Sequence, residues 1–543
     1  MDPARPHAEA LAINDGRISY VGSRNRIAPH IGPTTDVIDA GGRIACPGFV
    51  DIHTHTDLDL FDDPDYLLFK NYLMQGITTV LAGNCGMSRM EPGELLSRLD
   101  LRAPAVNFGT LIGHGFARAS CGIPADQEVL SDGQLQAMKA MIGKAMADGA
   151  FGMSTGLEYI PGLSARTDEL IACAEVVAEH GGFYASHMRS EGDHLLAAVE
   201  EAIRIGRDSG ARVQLSHLKS DGACNWWKTE AVISAVEAAR ADGIDVAGDQ
   251  YPYPFFGWNP SIFIPGEHLA AGKATLMDSY LRDEDHRRRI EAGIVDRIVR
   301  YHGGDGDLVV VFDWTDGEGR RWQGMSLARI LAARGVAPTP ETVAALILEM
   351  LPDERDDAVM GSDLSTSDDA VRRYLSLPYI AICTDGFNQP WLAPCHPRSY
   401  GAFPKVLGEY VRVKRALPLE TALRKMTSVP ASLMGLADRG TLRVGMRGDV
   451  VVFDEATVGE NATFDTPAAP SGVDVVLVNG VVTVDRRAGG DGFRPDSRSP
   501  HGAGAGMVLR RPAVSASTMP RACSSSSTKT SSSFIDRATR SGL

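Results

Sequence analysis

From about Gly48 to Gly386, short runs of Val, Ile, Leu, Ala and Phe alternate with longer stretches whose apolar residues recur every three or four positions. Compact apolar runs bounded by Gly and polar residues read as buried strands. They fall at Phe49–His53, Ile77–Ala82, Ala105–Ile112, Phe151–Ser154, Gly182–His187, Arg212–His217, Ile244–Asp249 and Tyr379–Thr384. Helical periodicity fills most of the gaps, over Leu135–Ala147, Thr167–His180, His194–Asp208 and Lys228–Ala241. Eight strands separated by helices predict an α/β fold, a (β/α)8 TIM-type barrel over residues 47–429. In such a barrel the functional groups stand at the C-terminal ends of the strands.

The stretch from Tyr251 to Pro378 is too long for one crossover helix and predicts an inserted subdomain over the barrel mouth, at about 255–375. Outside the barrel lie β-like pieces: Ala10–Val21 with Asp15-Gly16, Thr35–Ile44, Gly440–Asp454, and Val473–Val484 with Asn479-Gly480. Asp-Gly and Asn-Gly between alternating apolar runs are hairpin signals. These pieces predict a small β domain, sandwich-like, formed from both terminal regions, 1–46 and 430–511. Residues 512–543 turn to Ser, Thr, Ala and Arg and read as a disordered tail.

Composition narrows the function. Hydrophobic residues make up 44% and charged residues 23%, an ordinary globular balance. A formal charge of −15 with no basic cluster excludes a nucleic-acid partner. There is no apolar run of membrane-spanning length and no apolar leader near Met1, so the expected location is the cytoplasm, with no membrane partner. Eight cysteines in 543 residues are too sparse for a disulfide framework, so thiols are available as ligands.

The candidate chemistry collects at strand ends. His53 and His55 form a His-x-His pair whose i and i+2 side chains share one face of a strand. Alone such a pair fits two polar residues at a strand tip as well as half a metal site. Cys85 follows the second strand in a small-residue loop, His187 ends the fifth, His217 the sixth, and Asp385 the eighth, beside the first. Four histidines, a cysteine and an aspartate at five strand ends make a metal-type set, and sulfur with nitrogen favours zinc over magnesium or calcium. Zinc with an open position activates water toward a carbonyl, and Asp385 can take the water proton and return it to a leaving nitrogen. The reaction class is amide hydrolysis.

Ordered motifs then carry a resemblance. They are Pro47-Gly-Phe-Val-Asp-Ile-His-Thr-His-Thr-Asp57, Gly76-Ile-Thr-Thr-Val80 with Gly83-Asn-Cys-Gly86, and Ser154-Thr-Gly-Leu-Glu-Tyr159. Ser186-His-Met-Arg-Ser-Glu-Gly192, Ser216-His-Leu-Lys219, Asp249-Gln-Tyr-Pro-Tyr253, His396-Pro-Arg398, Arg424-Lys-Met-Thr-Ser428 and Gly445-Met-Arg-Gly-Asp-Val-Val-Val-Phe-Asp454 follow. Together they resemble the amidohydrolase superfamily, in its D-aminoacylase (N-acyl-D-amino-acid deacylase) branch.

The resemblance implies a zinc-dependent hydrolase that splits N-acyl-D-amino acids into a carboxylate and a free D-amino acid. The preference for D over L comes from it alone. It implies that Cys85, His187 and His217 hold one zinc tightly. His53, His55 and Asp385 would line a second, weaker position, with Asp385 the catalytic acid and base, and Lys219, Tyr251 and Arg398 would bind the substrate α-carboxylate. No lysine stands where other members use a carboxylated bridge. The chain departs from the pattern in lacking a first strand before Ala10–Val21 and in carrying Cys383-Thr384 before the aspartate. Trp226-Trp227 and Trp258 are candidates to shape an acyl or side-chain pocket, and His114 receives no catalytic role. Hydrolysis of a cyclic amide, a carbamate or another C–N bond on the same site is the alternative, and a non-catalytic relative is the third reading. The expected partner is a small N-acyl amino acid; the oligomeric state is left open.

Overall fold

The first barrel strand, β1 (Phe49–Asp51), runs parallel to β2 (Ile77–Ala82), and β2 to β3 (Asn107–Thr110). These strands belong to a computed structural model that describes residues 7–258, 260–269, 273–351, 359–362, 365–388, 390–393, 395–464, 466–487, 489–494 and 505–511. After Leu111 the third strand resumes as Ile112–Gly113, which pairs with β4 (Gly152–Gly156). Next come β5 (Phe183–His187), β6 (Arg212–Leu215), β7 (Val246–Gln250) and β8 (Ile380–Ile382), each parallel to the one before. The ring closes just beyond the ends of β8 and β1. There Thr54 bridges Gly386, the Asp385 N–H donates to His53 O (3.0 Å) and the His55 N–H to Gly386 O (2.8 Å).

The run expected as one strand, Ala105–Ile112, is therefore divided at Leu111. The Leu111 N–H still bonds Ala82 O on the β2 side (2.9 Å), while the residues after it turn to β4. Inside the ring, Val50, Ile52, Leu81, Leu111, Phe151, Phe183, Ala185 and Ala381 form the barrel core. Gly109 is required there: a Cβ on it would lie 2.7 Å from the Phe151 ring.

The helices cover the outside by their apolar stripes. Leu195–Ser209 buries Leu195, Ala198, Val199, Ala202, Ile203 and Ile205, and stops at Gly210 with φ 74°. Asp132–Ala147 starts in a capping box made by Ser131 and Gln134.

The terminal regions meet in a four-stranded antiparallel sheet ordered Val481–Asp485, Val473–Val478, Val450–Phe453, Ile44–Pro47. Asn479 (φ 48°) and Gly480 (φ 85°) make its expected hairpin turn. Ala10–Asn14 and Arg17–Gly22 form a separate hairpin tied on by a bridge from Arg17 to Arg447. Of the stretch expected as β-like at Thr35–Ile44, only Ile44 is in a strand. Two other pieces expected in the β domain lie against the barrel instead. The helix Ser428–Leu433 leads into Met434, which with Met507 and Leu509 packs on the barrel core. Apolar side chains from both pieces close the barrel floor, where the open ends of the strands would otherwise leave it wet.

The insertion has its own core. Phe256–Trp258, Val359–Ser362, Val309–Thr315 and Arg321–Trp322 form an antiparallel sheet, packed with the helices Glu284–His302, Leu327–Ala333 and Pro340–Met350. Residues 512–543, expected as a tail, lie outside the described residues.

Candidate active site

Loop geometry places the chemistry. Cys85 (φ 54°), His217 (φ 33°) and Asp385 (φ 51°) all sit in the left-handed region that side chains other than glycine rarely occupy. Each lies just past the end of β2, β6 or β8, and the turn there aims its side chain across the ring. Such strain persists only where the surroundings fix it, and it gathers at functional sites. His53 and His55 leave β1 on the residues that close the barrel, and His187 ends β5.

All six expected ligands come together and all are buried. Cys85 Sγ is 3.3 Å from His53 Nε2 and 3.4 Å from His217 Nε2. His217 Nε2 is 3.0 Å from His187 Nδ1, and Asp385 Oδ1 is 3.0 Å from His55 Nε2 and 3.3 Å from His53 Nε2. His53, Cys85, His217 and Asp385 offer donor atoms within 4.8 Å of one another, and so do His187, Glu191 and His217.

Three of these rings are held from behind by carboxylates. His53 Nδ1 faces Asp249 Oδ1 (3.1 Å), His187 Nε2 faces Glu158 Oε2 (3.2 Å) and His217 Nδ1 faces Glu191 Oε1 (2.9 Å). A carboxylate only accepts, so the nitrogen facing it carries the proton and the other ring nitrogen turns a lone pair inward. The inward atoms are then three imidazole lone pairs, a sulfur and a carboxylate oxygen. Such a set is mutually repulsive until a cation lies among it, so the residues fit a resident metal. The same crowding shows in the titration of the groups. Burial opposes ionisation of Cys85, yet the His53 and His217 rings hold its thiol well below its ordinary value. Burial opposes protonation of His187, and Glu191, Cys85 and Glu158 overcome it, a negative field that a bound cation answers equally well.

Asp385 also faces Arg398, whose Nη1 donates to its Oδ2 (2.6 Å). Burial works against this carboxylate, but Arg398 and then His53 and His217 hold it well below the usual carboxylate range. Arg398 is set by His396: Nδ1 of that ring accepts from the Arg398 N–H (3.0 Å), and Nε2–H donates to Phe255 O (3.1 Å). Burial and Arg398 keep His396 neutral.

The expected carboxylate-binding residues share the same cleft. Arg398 lies 5.0 Å from the centre of the Tyr251 ring and Lys219 5.4 Å, and the Tyr251 hydroxyl has no hydrogen-bond partner among the described residues. Lys219 is already engaged, with Nζ 2.6 and 2.7 Å from the two oxygens of Glu191. The cleft takes in Glu158, Asp221 and Arg297 beyond the ligand cluster.

Sequence reading gave no role to Glu158, Glu191, Asp221, Asp249, Arg297 or His396. Glu191 had a signal, four residues after His187, and Asp249 another at the end of β7. Arg297 had none, because it comes from a helix of the insertion. Trp227 is exposed, so it does not line the cleft, and the side chain of Trp258 lies outside the described residues. His114 is taken up by a buried contact of its Nε2 with Glu169 Oε1 (2.9 Å), and Glu169 also binds Arg118.

The sequence pattern of the amidohydrolase family matches residues 36–254 and 327–484. The chain is 34% identical over 527 residues to an N-acyl-D-glutamate deacylase of Alcaligenes xylosoxydans xylosoxydans, covering 93% of each. It is 33% identical over 501 residues to a D-aminoacylase of the same organism, covering 87% of this chain and 89% of that one. Among solved structures it is similar to the N-acyl-D-glutamate deacylase of Bordetella bronchiseptica complexed with zinc and a phosphonate inhibitor. That likeness has a TM-score of 0.74 and 31% identity, over 92% of this chain and 95% of the other.

Proposed function

The chain belongs to the amidohydrolase family, and from that premise we propose that it hydrolyses the amide bond of N-acyl-D-amino acids to a carboxylate and a free D-amino acid. The observation that carries the reading is the inward-facing set of Cys85, His187, His217, His53 and Asp385, with Arg398 beside it in one cleft. The sulfur and imidazole donors fit zinc, held tightly by Cys85, His187 and His217, with a second, weaker position lined by His53, His55 and Asp385. Bound there, zinc supplies Lewis-acid polarisation and a lowered pKa for the attacking water.

The chain's own residues do the rest. Asp385, ionised and beside His53 and His55, accepts the proton of the attacking water and gives it to the departing nitrogen. Arg398, with a planar fork matched to a carboxylate, leaves Asp385 for the substrate α-carboxylate, while the Tyr251 hydroxyl donates to the same group. Lys219 adds positive charge to that corner while staying paired with Glu191, and so contributes less than Arg398. Asp249, Glu158 and Glu191 keep the three rings in the tautomer that faces inward.

The test is release of free amine by zinc-loaded protein from N-acetyl-D-amino acids and their L enantiomers, with ring opening of a hydantoin followed separately as N-carbamoyl amino acid formed, and metal content measured in parallel. Turnover of D substrates well above L and hydantoin is the expected result. A protein carrying zinc that releases amine from no D substrate refutes the reading.

A further inference from the structure

The loops after β5 and β6 carry Glu191, His217 and Lys219, and a ring from the insertion stands between them. It belongs to Tyr301, buried near the end of helix Glu284–His302. Glycine lies next in sequence to an acid in each loop: Gly192 after Glu191 and Gly222 after Asp221. A Cβ on Gly192 would collide with Tyr301 Oη, and one on Gly222 would lie 2.5 Å from Tyr301 Cγ. Packed side chains do not approach so closely, so the two glycines form a slot and the phenol ring fills it. Gly222, at φ 84°, needs glycine for its backbone as well. Gly192 does not, and there the ring itself is the constraint.

Further contacts fix the ring in the slot. The Asp193 N–H donates to Tyr301 Oη (3.3 Å). On the same helix, Arg297 lies over the ring, 4.9 Å from its centre, and donates to Asp221 Oδ2 (3.1 Å), while Arg300 donates to both oxygens of Asp193 (2.8 and 2.9 Å). From the barrel side, Lys228 Nζ donates to Gly192 O (3.0 Å) and Asp193 O (2.8 Å), and Asn225 Nδ2 donates to Asp221 O (2.8 Å). The Asp221 N–H then joins the two loops by donating to Glu191 O (2.7 Å). These bonds draw the loops together, and the Tyr301 ring is the body they close against.

We infer that Tyr301 is a positioning residue of the metal site: wedged between the β5 and β6 loops, its ring sets where Glu191 stands and, through Glu191, how His217 and Lys219 are oriented. This rests on the zinc site of the reading above and on none of its substrate chemistry. Glu191 Oε1 is the partner of His217 Nδ1 (2.9 Å), and both Glu191 oxygens accept from Lys219 Nζ. A shift at Gly192 reaches Glu191 through one planar peptide unit. A ligand ring whose carboxylate has moved holds its metal less well. The insertion thereby supports the metal centre of the barrel as well as covering its mouth.

The experiment measures zinc affinity by competition with a chelator, and the visible spectrum of the cobalt-substituted protein, on the full chain and its variants. Gly192→Ala drives a methyl into the phenol oxygen, and is expected to weaken zinc binding about tenfold or more and to shift the cobalt bands. Adding Tyr301→Phe removes that oxygen and leaves the ring carbon Cζ at 3.0 Å, so the double variant is expected to regain most of the affinity and the wild-type bands. Tyr301→Ala is expected to weaken zinc as Gly192→Ala does. Ile330→Ala, in the insertion core on helix Leu327–Ala333, is expected to lower the Tm and leave zinc affinity and bands unchanged. Undiminished affinity in Gly192→Ala, a loss that Tyr301→Phe does not restore, or an equal loss in Ile330→Ala would each overturn the inference. Wild-type protein that binds no zinc would refute the metal site itself, and the inference with it. The Gly192→Ala pair decides the matter even where Tyr301→Ala fails to fold.

Discussion

Asp385 and Cys85 sit a few ångströms apart in one buried cluster, yet their chemistry separates them. The Cys85 sulfur has His217 and His53 nitrogens on two sides, which suits a group that holds a cation. Asp385 reaches the cluster by one oxygen and Arg398 by the other, which suits a group that moves a proton. Cys85→Ser is expected to lose most of the bound zinc and with it the activity. Asp385→Asn is expected to keep the tightly held zinc and lose kcat by roughly a hundredfold to ten-thousandfold, the usual span for removing a general acid–base. Zinc content and kcat measured on the same preparations check both, and an Asp385→Asn protein stripped of zinc would reverse the assignment. The six candidate ligands could be picked out in sequence because each stands at the end of an apolar run. The carboxylates behind them were not, since a buried Glu191 or Asp249 looks like any acidic residue until its imidazole partner is placed in space.

At the scale of elements, the barrel's periodic strands and helices follow from pattern, but their junctions depend on partners. The break at Leu111 comes from a change of neighbouring strand, which no local run encodes. The helix Leu419–Met426 makes the same point with charge. Its Lys425 is 1% exposed, and Nζ donates to the Leu377 and Ile380 carbonyls, the latter at 2.8 Å. Burial alone lowers this amine from 10.5 to about 7. The unfolded chain keeps that proton to about pH 10.5 while the folded chain releases it near 7, so between these values unfolding takes up a proton. Stability from this group therefore rises from pH 7 toward 10.5, and is least below 7. Urea midpoints across that range should climb more steeply for the wild type than for Lys425→Met; parallel profiles would show that the folded chain keeps the proton.

For the whole molecule, the barrel floor is finished by chain far from it in sequence. Met507 O accepts from the Phe108 N–H (2.8 Å), the Leu509 N–H donates to Phe108 O (2.7 Å), and the Arg511 N–H donates to Gly149 O (3.0 Å). Leu509 is 7% exposed against the barrel core. The Gly506 N–H also donates to Pro104 O (3.0 Å), and ending the chain at residue 504 is expected to cost on the order of 4–7 kcal/mol, from one buried leucine and four backbone hydrogen bonds. A urea midpoint unchanged by that truncation would show the floor to be self-sufficient. The insertion reaches the cleft in a comparable way, sending Arg297 from the helix Glu284–His302 to Asp221. By itself the sequence determined the alternation of strand and helix and the strand-end placement of Cys85, the histidines and Asp385, because hydrophobic period and position are local properties. Only the tertiary structure decided which nitrogen of each ring faces inward, which cation answers which carboxylate, and what closes the floor, because those depend on distances between residues that the chain order keeps apart.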